Sequence, residues 1–198
     1  MAKMDPRIYK TLQHIDKALL DNLQEASFHK VTIESLCRSA MINRSTFYKY
    51  YSDKYALLDD FLTRALEEFR AAAKADFVEA DPSNVDDPYY TSLFRDCARF
   101  LFQNKERYLT LWNASVGRNI YCEMVDAARD CILDKLSEGR EEPVSRYEQL
   151  YAMCFASNML TLIRWWFQHE REVTEDEVVE IMSNNMKRGL FCTFKQYL

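Results

Sequence analysis

The sequence predicts an all-α protein of about nine helices: a three-helix head, a long fourth helix, and a helical C-terminal body. Only three glycines (Gly117, Gly139, Gly189) and four prolines (Pro6, Pro82, Pro88, Pro143) punctuate 198 residues, so helices can run long. Apolar residues recur at spacings of three and four, the period of one helix face. A hydrophobic content of 48% is enough to bury a real core.

Ile8, Leu12, Ile15, Leu19 and Leu23 draw a one-sided stripe, which predicts a helix over 6–25. The elements then shorten. Thr32 is placed to cap a helix that buries Ile33, Leu36, Cys37 and Ala40, and Asn43 to cap another that buries Phe47 and Tyr51. Two short helices joined across Met41 and Ile42 make a helix-turn-helix, with the first helix supplying apolar cover. A longer helix is expected from Ser52 or Asp53 to about Glu79, lined by Leu57, Leu58, Phe61, Leu62, Leu66 and Phe69. The segment 80–88 (ADPSNVDDP) reads as a loop. Shorter helices follow around Leu93 to Phe102, Tyr108 to Trp112 and Ile120 to Leu136. The last two are expected as a helix of about 25 residues that carries the apolar positions between Tyr147 and Phe167, and another from about Thr174 that uses Val178 to Phe194. The division expected is a head of residues 1–54 and a body of residues 55–198.

The formal charge of −5 is unevenly spread. Residues 1–54 hold nine Lys/Arg against six Asp/Glu, a balance of +3, and the remainder holds 17 against 25, a balance of −8. A weakly basic head on an acidic body is compatible with nucleic-acid binding, although solvated helix faces share that charge. Six dispersed cysteines show no C-x-x-C pair and read as reduced core thiols. His14, His29 and His169 match no ligand spacing and read as surface residues, so neither a metal nor a cofactor is expected. No apolar run approaches the roughly 18 residues that cross a bilayer, and the N-terminus is unlike a signal peptide, so a cytoplasmic protein without membrane contact is expected.

With Phe47 and Tyr51 turned inward, the second short helix leaves Arg44, Ser45, Thr46, Tyr48, Lys49 and Tyr50 outward. Those are donors and flat rings. Arg44 carries a fork suited to guanine, Ser45 and Thr46 are short enough for close approach, and Tyr48 and Lys49 suit phosphates. Thr32 and Lys54 begin the flanking helices, where free amides and the positive dipole end also favour phosphate. The alternative is that Thr32 and Asn43 merely cap, the tyrosines pack and the lysines are solvated.

The stretch VTIESLCRSAMINRSTFYKYYSDKYALL resembles the DNA-binding signature of the tetracycline-repressor (TetR) family of bacterial regulators, over Arg7 through Leu58. Thr46 to Tyr48, Tyr51, Asp53-Lys54 and Leu57-Leu58 stand where that family has them. Met41 stands where relatives commonly have glycine, which suggests a helical or 3₁₀ turn there. Asn43 replaces a usual serine and Tyr50 a frequent histidine. Trp165-Trp166, Val173 to Val179 and Gly189 resemble the branch that includes dihydroxyacetone-kinase regulators, and no ligand is inferred from it.

The resemblance implies a homodimer on double-stranded operator DNA, paired through its two C-terminal helices. The apolar excess of residues 147–194 asks for such a partner independently. Phe155, Leu162, Trp166, Val178, Ile181, Met182, Met186 and Gly189 are the interface residues expected. It also implies a small effector, apolar by its lining, bound in the C-terminal domain and releasing a repressor from its operator. Phe61, Phe100, Tyr108, Trp112, Tyr121, Met124, Asn158 and Trp165 are the lining residues expected, and the same residue types also suit an ordinary core. An enzyme is disfavoured because the chain has no Gly-rich phosphate loop, no G-x-S-x-G and no H-E-x-x-H. A helical protein-binding adaptor is the other reading.

Overall fold

A computed structural model describes residues 5–79, 84 and 89–189, with the side chains of residues 77, 89–94, 186 and 187 left out. Among the described residues it contains helices α1 (Pro6–Glu25), α2 (Ile33–Ala40), α3 (Arg44–Tyr48), α4 (Lys54–Ala72), α5 (Tyr89–Gln103), α6 (Lys105–Asn113), α7 (Ile120–Ser137), α8 (Arg146–His169) and α9 (Glu175–Arg188), and no strand. Short 3₁₀ turns lie at Phe28–Lys30 and Asp76–Glu79. Most of the expected 80–88 loop, and the end of the last helix with Leu190 and Phe194, fall outside the described residues. The fourth helix stops at Ala72, seven residues short of the expected end, and the chain tightens into the 3₁₀ turn.

The chain forms two compact units, one of residues 1–65 and 106–121, the other of 66–105 and 122–198. In the first, α1 turns its stripe of Ile15, Leu19 and Leu23 inward and packs on α2, which packs on α3. Leu36, Cys37, Phe47, Leu57, Phe61 and Leu62 complete the core. Two polar ties cross it. The Tyr108 hydroxyl donates to the Ala65 carbonyl at 2.9 Å, and Arg64 grips the Asp16 carboxylate with two bonds of 2.8 Å. A bidentate guanidinium–carboxylate pair has little angular freedom, so it fixes α1 against α4.

In the second unit, α5 packs against α8 and α9. Trp166 lies at its centre, 1% exposed, stacked on Phe102 at 5.2 Å with its indole Nε1 donating to the Val173 carbonyl. Ser145 and Glu148 close a capping box on α8, and Thr174 and Glu177 close one on α9. Cys37 and Cys97 are buried, whereas Cys122 and Cys154 are exposed, so the cysteines are not uniformly core thiols; Cys192 is outside the described residues.

The turn between α2 and α3 differs from the helical or 3₁₀ form expected at Met41. Met41 adopts the left-handed conformation, φ 54° and ψ 43°. The Ile42 amide donates to the Cys37 carbonyl at 3.0 Å and the Met41 amide to the Arg38 carbonyl at 3.2 Å, the Schellman pattern that ends a helix and usually employs glycine. The methionine side chain is 91% exposed, so it gains no burial to offset the crowding of its Cβ. Met41→Gly is expected to stabilise the chain by roughly 0.5–1 kcal/mol, less than the full strain because glycine also loosens the unfolded chain. A rise in the urea unfolding midpoint checks this; an unchanged or lower midpoint contradicts it.

Candidate nucleic-acid interface

The surface is built from the ends of α2 and α4 and the whole of α3. Thr32 caps α2, its Oγ1 accepting from the Ser35 amide at 3.0 Å while the Ser35 hydroxyl accepts from the Thr32 amide at 3.2 Å. Asn43 occupies the equivalent place before α3 without a side-chain cap bond, contrary to expectation. The five residues of α3 close few helical hydrogen bonds, Phe47 amide to Asn43 carbonyl and Tyr51 amide to Phe47 carbonyl among them, too few to hold a helix alone, so it rests on Phe47. That ring is fully buried, edge-on to Tyr48 at 5.8 Å and 5.9 Å from Tyr51.

With Phe47 pinned, the helical period settles the rest. Arg44, Ser45, Tyr48 and Lys49 are exposed, and Thr46 and Tyr50 half-buried. Tyr48 is 55% exposed. The Lys49 ammonium lies 5.9 Å from the centre of the Tyr50 ring. Tyr51 faces inward and its hydroxyl donates to Asp60 at 2.9 Å, itself bound to Arg64. Burial, with that carboxylate beside it, pushes the phenol well above its ordinary pKa, which keeps it a donor.

Lys54 is the departure. Expected as an outward phosphate clamp, its ammonium instead donates to three carbonyls, Phe28 at 3.0 Å, His29 at 3.0 Å and Val31 at 2.7 Å. It also lies over the Phe28 and Tyr55 rings at 4.9 and 5.4 Å. All three of its protons are spent, so Lys54 ties the 3₁₀ turn ahead of α2 to the start of α4. Asp53 caps α4 in its place, one oxygen accepting from the Tyr55 and Ala56 amides at 2.8 Å each.

Two residues were missed by sequence reasoning. Glu34 binds Arg44 (Nη2 to Oε2, 2.8 Å) and Arg38 (Nη2 to Oε1, 3.2 Å), and Met41 shapes the turn. The Glu34–Arg38 spacing of four was readable as a helical pair; the bond to Arg44 crosses the turn and left no local signal.

The expected lining residues are drawn from both units. Phe61, Tyr108, Trp112 and Tyr121 belong to the first unit, the Trp112 ring 6.3 Å from Tyr108 and 5.7 Å from Tyr121; Phe100, Met124, Asn158 and Trp165 belong to the second. Asn158 and Trp165 are exposed on α8 rather than lining an interior. Of the interface residues expected, Trp166, Val178 and Met182 are buried inside their own unit, so they have no surface to offer a partner. Phe155, Leu162 and Ile181 are half-buried, Gly189 is exposed, and the Met186 side chain lies outside the described residues. An outward stripe runs on α8 through Tyr147, Tyr151, Cys154, Asn158, Thr161 and Trp165, spaced four, three, four, three, four, aromatic at three of its positions and polar at Asn158 and Thr161, with Leu150 beside it. Tyr151 is 71% exposed.

Residues 17–61 match the family described as bacterial regulatory proteins, tetR family. The match runs from within α1 to within α4 and so takes in the whole helix-turn-helix. An uncharacterized HTH-type transcriptional regulator, YxbF, from Bacillus subtilis (strain 168) is 34% identical over 67 residues, 33% of this chain. That stretch spans only 18% of the relative's length. In overall fold the chain is similar to the fatty acid degradation regulator FadR from Bacillus halodurans (TM-score 0.64, 15% identity, 95% of this chain and 98% of that one). It is similar also to the dihydroxyacetone kinase operon activator DhaS (TM-score 0.51, 16% identity, 94% and 95%). Both likenesses concern the fold. They reach beyond the stretch that matches the family model, which ends at Phe61. Among the described residues no group of three or more His, Cys, Asp or Glu is placed to hold a metal, and no helix is long and apolar enough to cross a membrane.

The head should lose stability when its lysine strap is cut. Lys54→Ala is expected to cost about 1.5–3 kcal/mol, the range for hydrogen bonds from a charged donor. Thermal unfolding followed by circular dichroism should show a lower midpoint; an unchanged midpoint would return Lys54 to the solvent-facing role.

Proposed function

We propose that this protein is a sequence-specific DNA-binding transcription regulator that works as a homodimer. The observation that carries the reading is α3: a five-residue helix of the tetR head whose buried residue is Phe47, with Arg44, Ser45, Tyr48 and Lys49 set side by side toward solvent. In this reading α3 enters the major groove, Arg44, Ser45 and Thr46 meet base edges, and Tyr48, Lys49, Tyr50 and the Thr32 end of α2 hold phosphates. Lys54 acts indirectly, by holding the start of α2 in place. The functional boundary is put after residue 54, with 55–198 as the regulatory and pairing body.

The partner copy is assigned to α8. Its outward stripe follows the four-three spacing of a helix that packs along another helix, and its tyrosines, leucine and tryptophan are costly to leave in water. Pairing matters because one head with a balance of +3 has few phosphate contacts, and two rigidly joined heads act at high effective concentration on a two-half-site operator. Control is read as repression relieved by a small apolar effector in the body. A coupling of about 1–3 kcal/mol would change operator affinity between roughly five- and 150-fold. A regulator of this kind works in the cytoplasm and needs neither metal nor catalysis.

Selection of bound fragments from random duplexes, followed by salt-dependent gel shifts, tests the reading. Enrichment of a two-fold related site is expected, with Arg44→Ala losing about 1–3 kcal/mol and relaxing one base position, and Lys49→Ala flattening the salt slope by about one per head. No enrichment, or full affinity in both variants, would refute DNA reading by α3. Separately, Tyr151→Glu should turn the dimer into a monomer in sedimentation velocity by placing a charge inside the α8 seam. A persistent dimer would move the interface elsewhere.

A further inference from the structure

The first turn of α2 sets a carboxylate among the cations of the α3 surface. Glu34 is not needed as a cap, since Thr32 and Ser35 close the capping box between themselves. Nor is it buried; Glu34, Arg38 and Arg44 are all exposed. Yet both of its oxygens are committed. Arg38, four residues on, takes Oε1 at 3.2 Å, and Arg44, across the turn, takes Oε2 at 2.8 Å. The local Arg38 bond holds the carboxylate, and the held carboxylate fixes where the Arg44 guanidinium sits.

A guanidinium carries five N–H donors in a rigid plane, and the Glu34 contact is made by Nη2. Donors remain for a second acceptor while that bond stays closed. An arginine so held keeps its partner when it meets a group lying in its path, and must give the partner up to swing aside to a backbone phosphate. The first option costs no ordering of the side chain at the moment of contact, and the second costs an ion pair. The balance between them tilts contacts from phosphate toward base.

We propose that Glu34 is a positioning residue for Arg44, presenting its guanidinium to the N7 and O6 of guanine and raising discrimination between the operator and other DNA. This rests on the DNA-binding reading above. Glu34 also lowers the positive charge of the surface, which weakens adhesion to any duplex, and the two effects separate experimentally: a general charge effect persists without Arg44, and positioning does not.

The test is a double-mutant cycle on the full chain, using Glu34→Gln, Arg44→Ala and both together, against the duplex enriched by selection and a random-sequence duplex. Glu34→Gln is expected to lower the enriched-to-random affinity ratio by about two- to five-fold per head, the range of exposed ion pairs. In the Arg44→Ala background the same substitution should leave the ratio unchanged. An unaltered ratio in Glu34→Gln, or an equal fall with and without Arg44, overturns the proposal while leaving the DNA reading intact. If the unsubstituted protein enriches no duplex, the DNA reading falls and this one with it.

Discussion

Everything on the outer side of the helix-turn-helix hangs on the burial of one ring. A five-residue helix has no stability of its own, because so few residues close hardly any regular bonds against the entropy of fixing them. Phe47 supplies what α3 lacks. Its burial between Tyr51 and the core sets the rotation of the helix, and that rotation alone puts Arg44, Ser45, Tyr48 and Lys49 on the outer side. The neighbouring devices protect the same placement. The Thr32–Ser35 box starts α2, the Schellman turn at Met41 ends it, and Lys54 binds the segment before it to α4. Each satisfies backbone groups that short helices leave open.

The electrostatics of the head serve order more than brute attraction. A balance of +3 over residues 1–54 is modest for a DNA-binding head, and several of its cations are engaged internally: Lys54 on carbonyls, Arg38 and Arg44 on Glu34. Of the cations that remain, Lys49 lies on the α3 surface, over the Tyr50 ring. On the proposed reading, affinity comes from joining two heads and selectivity from the stiffness of each. On that same reading the body contributes to DNA binding without touching DNA, through the α8 stripe that would join the two copies.

Much of this was legible in the residues. Helix α1 was placed to the residue because its stripe and Pro6 mark a start and a face, and α2 because Thr32 is a strong cap. The inward pair Phe47 and Tyr51 followed from period alone. What was not legible depends on atoms far apart in sequence or on competing partners. Lys54 looked free because the carbonyls that bind it belong to residues more than twenty positions earlier. Met41 hid a left-handed backbone because methionine signals no such conformation, whereas glycine would have. Trp166, Val178 and Met182 were assigned to a partner copy because periodicity shows that a face is apolar without showing what covers it; here α5, α8 and α9 cover each other. The end of α4 was overrun because Ala73, Ala75 and Val78 continue an apolar pattern that the backbone does not follow as a helix.

The central claim is that α3 and the start of α2 form the surface that meets DNA. Backbone amide shifts of nitrogen-15-labelled protein, titrated with the selected duplex, test it most directly. The account predicts that perturbations concentrate at Thr32 and across Arg44 to Tyr50, leaving the outer face of α8 unmoved. Tight binding with those amides unmoved, and the shifts gathered elsewhere in the chain, would contradict it.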